Sequence, residues 1–339
     1  RPAGTLETQL SGMAIIQKVI QDNYDFAKVE LPEQLPQAHQ RRHRKMTVQT
    51  DKGKFLVKTY STDLRELDNL RFQHRLSEYL AENGLPAPRI QRAINGKGVV
   101  EQANWAMELQ AFIDGGSMKI TVETLTATAK ALGKFHEICR DYPVPPRDAR
   151  MWRFSDVPRD IFQRLYEMAY QQCPEQRIVD RCNTIARFLH DAQAALSIEQ
   201  RDKFENGLIH GDWHGGNLMF KEEALVGIVD FEFSGAGCFL EDIAYGVSNL
   251  CIRRSVEEKR LSTRVNIFLD NYQLSRTLSY DELVALYYAV GIKHCTTVAY
   301  QCKQAGGTIA GLTAAQWIET LAAQCLWLAE ASRKARFGE

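Results

Sequence analysis

None of the eight cysteines of this chain forms a C-x-x-C pair. That spacing gathers thiols around zinc or makes a redox couple, so neither a zinc site nor a disulfide framework is expected. Scattered thiols act as small buried hydrophobes in a reducing compartment. An excess of charge is also lacking, since 42 basic residues balance 42 acidic ones. Without an overall field, neither nucleic acid nor a membrane surface is expected as a partner. No apolar run reaches the roughly 18 residues of a membrane-crossing helix. The sequence starts at Arg1 with no apolar signal-type segment, and a cytoplasmic location is expected. Neither G-x-x-x-x-G-K-[ST] nor G-x-G-x-x-G occurs, which disfavours the two common glycine-rich phosphate cradles.

The 339 residues are enough for one large domain or two lobes, and 45% apolar content is ordinary for a globular protein. Thr5 to Tyr24 places Leu10, Met13, Ile16 and Ile20 on one helical face. The period then shortens. Val29 and Leu31, Met46 and Val48, and Phe55-Leu56-Val57 read as three strands, the last two joined by a turn at Asp51–Lys54. A helix over about 63–83 stops at Gly84, and Pro86 and Pro88 prevent its return. Trp105–Phe112 reads as a further strand. Beyond it helical patterns dominate, over 122–140, 159–171, 176–196, 280–303 and 314–334. The exception is about 207–233, where two short strands fit. A strand-rich front and a helix-rich back predict an α+β chain of two lobes.

That exceptional segment carries the chemistry. His210-Gly211-Asp212-Trp213-His214-Gly215-Gly216-Asn217 sets an aspartate two residues after a histidine and an asparagine five residues later. Val229-Asp230-Phe231-Glu232 then ends a short apolar run. Phosphoryl transfer asks a protein for positioning and for cancellation of phosphate charge. Asp212 suits a group that accepts a hydroxyl proton. Asn217 offers a neutral oxygen and Asp230 a carboxylate, both acceptable to Mg²⁺. His210 fits a brace for the loop better than a chemical role.

These two segments closely resemble the aminoglycoside phosphotransferase, choline kinase and homoserine kinase type II superfamily, whose loop reads H-G-D-x-H-x-x-N. His214 matches as well and is read with His210 as loop support. Leu132–His136, Gly84–Pro88 and Leu240–Ala244 resemble further family segments. The resemblance spans about 26–300. It implies a bilobal protein-kinase-like fold, with a small β-rich N-lobe over 1–112 and a larger, mainly helical C-lobe over 113–339. It implies an ATP-dependent small-molecule O-kinase, with GTP left open as the nucleotide and Mg²⁺ as the metal. Lys58 is then the phosphate-binding lysine, Ala111 and Ile113 supply hinge groups for adenine, and Glu232 joins Asn217 and Asp230 around metal.

Two departures from the family accompany the match. The loop at about 35–44 has no glycine, so Gln40, Arg41, Arg42 or His43 are the side chains available there for phosphate. The usual position of the acid that pairs with Lys58 falls on Gln73, and Glu66 is the acid most nearly on the same helical face. The acceptor is expected to be a small amino-alcohol, homoserine-like or otherwise hydroxylated compound. An antibiotic or natural-product acceptor is one alternative, and a non-catalytic nucleotide-binding protein is the other. A polycationic acceptor calls for a dense acidic pocket; Glu241, Asp242 and Asp270 could contribute to one, but no dense acidic cluster stands out in the C-terminal third. Trp152, Trp213, Trp317 and Trp327 are candidates for its apolar walls.

Overall fold

The computed structural model describes residues 6–35, 44–61, 64–145 and 159–339. Gln40, Arg41, Arg42, His43 and Trp152 lie outside the described residues. The chain divides into two compact units, 1–116 with 226–232 and 117–225 with 233–339.

The first unit contains α1 (Leu6–Asn23), β1 (Glu33–Gln34), β2 (Arg44–Thr50), β3 (Gly53–Ser61), α2 (Leu64–Glu82), β4 (Ile90–Gln91), β5 (Val100–Glu101) and β6 (Trp105–Ala111). The strands pair antiparallel in the order β1-β2-β3-β6-β4, with β5 also on β6. Alternation along β3 sorts its side chains. Phe55 and Val57 join Ile16 and Ile20 of α1 in one apolar cluster. Tyr60 and Ala106 meet Leu67 and Leu70 of α2 in another. Lys58 therefore shares the face of Tyr60, under α2. The strand expected at Val29 and Leu31 is displaced. Val29 makes only an isolated bridge to Thr50, Leu31 is 43% exposed, and pairing resumes after Pro32, which has no N–H to donate.

After β7 (Gly116–Ser117) come α3 (Val122–Ile138), α4 (Arg159–Gln172), α5 (Gln176–Ala195), α6 (Ile198–Arg201), β8 (Asn206–Ile209), β9 (Leu218–Lys221), β10 (Ala224–Ile228), β11 (Gly235–Cys238), α7 (Phe239–Val247), α8 (Glu258–Tyr272), α9 (Tyr280–Gln304), β12 (Thr308–Ile309), β13 (Leu312–Thr313) and α10 (Ala314–Phe337). The five long helical patterns of the sequence are α3, α4, α5, α9 and α10. Capping boxes start three of them, at Thr121, Ser279 and Thr313. β11 pairs antiparallel with β8 and carried no strand signal, because Gly235 and Gly237 are poor strand formers. Gly133 lets α3 approach α8: a Cβ there would lie 2.5 Å from the Tyr272 carbonyl oxygen. Among the described residues no helix is long and apolar enough to cross a membrane.

Candidate active site

In the first unit, three charged side chains stand in one row across the sheet. Lys45 is the register partner of Lys58, and Lys58 is the register partner of Glu108. Lys58 Nζ lies 4.0 Å from Glu108 Oε1, and Lys45 Nζ lies 3.8 Å from Asp230 Oδ2. Adjacent lysines repel, so the two carboxylates are needed to hold both ammonium groups in place. The acid that pairs with Lys58 thus comes from β6, which corrects the expectation of Gln73 or Glu66 from α2. Gln73 lines the small pocket beside Lys58, Glu108 and Asp230, and Glu66 sits in the first turn of α2. The family resemblance pointed to α2, and helical phase to Glu66 within it, but the cross-strand register brings Glu108 directly opposite Lys58. α2 contributes His74 instead, whose Nε2 bonds Glu108 Oε2. Glu108 Oε1 accepts from the Tyr60 hydroxyl at 2.6 Å and from Gln110 Nε2 at 3.1 Å.

Burial raises the Glu108 carboxyl, but the His74 hydrogen bond and charge, the Lys58 charge and the Tyr60 hydroxyl outweigh it and bring the pKa down to about 2 from 4.5. A depressed folded-state value contributes stability above the unfolded pKa and loses it as pH falls. The protein is therefore expected to lose stability between about pH 4.5 and 2 on account of this group, and Glu108→Gln should flatten that part of the curve. Urea midpoints measured at steps across this range check it; parallel curves for the two proteins would refute it.

The two neighbouring sites have distinct backbones. Asp230 sits at φ 69°, in the left-handed region, just after β10. Such a conformation in a non-glycine residue is held by its surroundings and is common at functional positions. The Glu232 carbonyl accepts from Asn69 Nδ2 at 3.3 Å, which ties this segment to α2. At the hinge, the Ala111 N–H donates to Arg89 O and the Phe112 N–H to Lys54 O. Among the described residues the Ile113 N–H makes no backbone hydrogen bond, so it could serve a ligand.

In the second unit, Asp242 organises the loop after β8. Its carboxylate accepts from His210 N at 2.8 Å, Gly211 N at 2.9 Å and His136 Nε2 at 3.0 Å. His136 Nδ1 in turn meets the Tyr272 hydroxyl at 2.8 Å. Gly211 adopts φ 82°, which a side chain would resist. His210 is wholly buried, and its Nδ1 accepts from Asp212 N at 3.2 Å. Asn217 Nδ2 donates to Asp212 Oδ2 at 2.8 Å and to Asp212 O at 3.0 Å. With its amide nitrogen committed, the carbonyl oxygen of Asn217 is the atom left to ligate a cation. His214 Nε2 lies 3.3 Å from Asp212 Oδ2. Burial raises the Asp212 carboxyl, yet hydrogen bonds from His214 and Tyr245 and the charges of His214 and His210 hold it at about 2. Asp212 Oδ1 is buried and has no hydrogen-bond partner among the described residues. An orphaned carboxylate oxygen costs roughly 1–3 kcal/mol or more, which a ligand hydroxyl would recover.

Sequence reasoning missed three groups here. Tyr245 and Lys293 lie beside Asp212, and the Lys293 Nζ sits 3.9 Å from the centre of the Tyr245 ring. Burial lowers the Lys293 ammonium to about 8, against the opposing pull of Asp212. Arg253, the third, belongs to a cavity of about 1090 Å³ that also takes in His214 and Tyr245. Among the described residues, the three acids considered for a polycationic acceptor, Glu241, Asp242 and Asp270, do not gather in one pocket. Glu241 Oε2 accepts from Cys238 N in the cap of α7, Asp242 is occupied with the loop, and Asp270 is an exposed residue of α8. Of the tryptophans, Trp317 lines the cavity, while Trp213 is a fully buried core residue. Trp327 packs edge-on against Tyr287.

The phosphotransferase enzyme family model matches residues 34–266. Homoserine kinase of Beijerinckia indica subsp. indica is 26% identical over 251 residues, covering 70% of both chains. Homoserine kinase of Nitrobacter hamburgensis is 27% identical over 242 residues, covering 70% of this chain and 68% of its own. Among solved structures, an aminoglycoside phosphotransferase from Alicyclobacillus acidocaldarius superposes with a TM-score of 0.67 at 14% identity, covering 99% of this chain and 98% of that one. An amicoumacin kinase in complex with AMP-PNP, Ca²⁺ and Ami gives 0.64 at 17% identity, covering 98% and 95%. The fold is thus the protein-kinase-like α+β fold, a small antiparallel sheet followed by a mainly helical part. The chain belongs to the phosphotransferase enzyme family and is an enzyme that transfers a phosphoryl group.

Proposed function

We propose that the chain binds Mg·ATP and transfers the γ-phosphoryl group to a hydroxyl of a small molecule. The observation that carries this reading is the ionised Asp212 carboxylate, buried with Oδ1 unpartnered. The acceptor hydroxyl would donate to that oxygen. Its oxygen then forms the new bond to the γ-phosphorus, the bond to the β–γ bridging oxygen breaks, ADP departs, and the hydroxyl proton passes to Asp212 late in the transfer. Lys58, held by Glu108, would contact the α- and β-phosphates, with Lys45 beside it as a second cation. The Ile113 N–H and the carbonyl of Ala111 would meet the adenine edge. Asn217 and Asp230 would ligate Mg²⁺, with Glu232 for a second ion; hard oxygen donors, few per ion, suit Mg²⁺. When bound, the metal would neutralise charge on the phosphates. His210 and His214 hold the loop around Asp212.

The similar homoserine kinases support an alcohol acceptor, as do solved neighbours described as an aminopropanol kinase and an amicoumacin kinase. The volume of the cavity beside His214 favours a natural-product acceptor over a single amino acid. At about 1090 Å³ it reaches the top of the roughly 300–1,000 Å³ range of drug-sized sites. The test is ADP release with a panel of hydroxylated acceptors in the presence of Mg²⁺. Release should vanish with EDTA, and Asp230→Asn should raise the Mg²⁺ requirement by about tenfold or more, the effect of losing one anionic ligand. ADP formed equally well in EDTA would refute the reading.

A further inference from the structure

Four arginines line the cavity that takes in His214 and Tyr245: Arg253, Arg254, Arg260 and Arg264. Among the described residues no carboxylate lines it. Arg260 pairs with Glu257 at 3.6 Å, on an exposed helix surface. Among the described residues no carboxylate pairs with Arg253, Arg254 or Arg264. Three arginines without a paired acid around one concavity, with Arg260 beside them, repel one another and raise the local concentration of anions. A histidine of the same wall, His294, adds no charge at neutral pH, since burial holds its pKa at about 4.

The arginine wall is also braced from within. Arg253 adopts φ 50° and ψ −122°, a conformation costly for a side chain. Its carbonyl accepts from Gln324 Nε2 at 3.0 Å, and the same nitrogen donates to Ser255 O at 2.9 Å. Gln324 is 1% exposed, and its Oε1 meets His294 Nε2 at 2.8 Å. Arg254 Nη1 donates to the Ala310 carbonyl at 2.6 Å, which fixes this side chain against the β12–β13 turn. A strained arginine whose backbone carbonyl is held by buried Gln324, and whose exposed side chain lines a cavity with no carboxylate among its described lining residues, suits an anion clamp.

We infer that the acceptor is an anion: a hydroxylated compound larger than an amino acid that carries a carboxylate or comparable acidic group, which Arg253 and Arg264 bind while its hydroxyl meets Asp212. This rests on the phosphotransferase reading and narrows its substrate class. It runs opposite to the acidic pocket that a polycationic aminoglycoside would require. Apolar lining from Leu250, Val298 and Trp317 leaves room for the uncharged body of such a ligand.

The test uses the full chain saturated with Mg·ADP and a matched pair of probes, 4-methylumbelliferyl glucuronide and the corresponding glucoside, which differ in one carboxylate. The glucuronide is expected to bind at least about tenfold more tightly, the scale of one charge-assisted hydrogen bond. In Arg253→Gln/Arg264→Gln that preference should fall towards unity, with Mg·ADP affinity and melting temperature unchanged. Kanamycin, a polycation, should not bind. Equal affinity for the two glycosides, binding of neither, a preference that survives in the double variant, or tight kanamycin binding would each overturn the inference. Failure of the native chain to bind Mg·ADP would overturn the phosphotransferase site instead, so the two failures are distinct.

Discussion

Asp212→Asn should lower kcat by about 10²–10⁴-fold, the usual contribution of a positioned base, while Mg·ATP affinity changes little. The substitution is nearly isosteric. Asn217 Nδ2 can still donate to a side-chain oxygen at position 212, as it now does at 2.8 Å, so the loop should keep its shape. What is lost is the charge. The native carboxyl, held at about 2, is ionised throughout the neutral range and can receive a proton; an amide cannot. No acid limb of the pH–rate profile above about pH 4 should come from this group. Steady-state kinetics together with nucleotide binding by calorimetry would check the prediction. Undiminished transfer in the variant would remove Asp212 from the reaction, and loss of nucleotide affinity alongside turnover would show that the residue acts on binding.

What the sequence disclosed and what it withheld follow from one distinction. Local order was legible. Gly84 and the two prolines after it mark the end of α2, the helical patterns opening at 122, 280 and 314 coincide with the starts of α3, α9 and α10, and His210–Asn217 lies in a single tight loop whose side chains meet through short chain separations. Groups brought together across the chain were not legible. Glu108 meets Lys58 only because β3 and β6 pair in one register, and a shift by one residue would turn Glu108 to the opposite face. Lys293 reaches the neighbourhood of Asp212 from α9, and a lysine inside a helical pattern reads as a solvated residue until its burial is known. The arginine wall combines the turn after α7 with the exposed side of α8. Neither segment has an unusual composition, and the absence of acids becomes visible only when both line one space.

The same distinction shows why Asp242 matters more than its place in a short Leu240–Ala244 motif suggests. Asp242→Ala should destabilise the protein by roughly 3–5 kcal/mol, the range for removing one partner of a buried charged network. The side chain is 1% exposed and accepts three hydrogen bonds, from the backbone of His210 and Gly211 and from His136. Alanine leaves all three donors buried and unpaired, each at a cost of about 1–3 kcal/mol before relaxation. The two backbone donors immediately precede Asp212, and Gly211 holds a left-handed conformation that those bonds help to fix. Releasing them should move the Asp212 carboxylate, and a displacement of about 1 Å can cost roughly 10²-fold in rate. Two readouts are therefore expected to move together: a lower urea midpoint, and a kcat reduced by about 10²-fold at temperatures where the variant is still folded. Asp242→Asn serves if the alanine variant fails to fold, since it keeps an acceptor for one backbone N–H but presents an amide to the other. It should fall between native and alanine in stability. An unchanged midpoint with unchanged kcat in either variant would show that the loop is held by His210 and Asn217 alone.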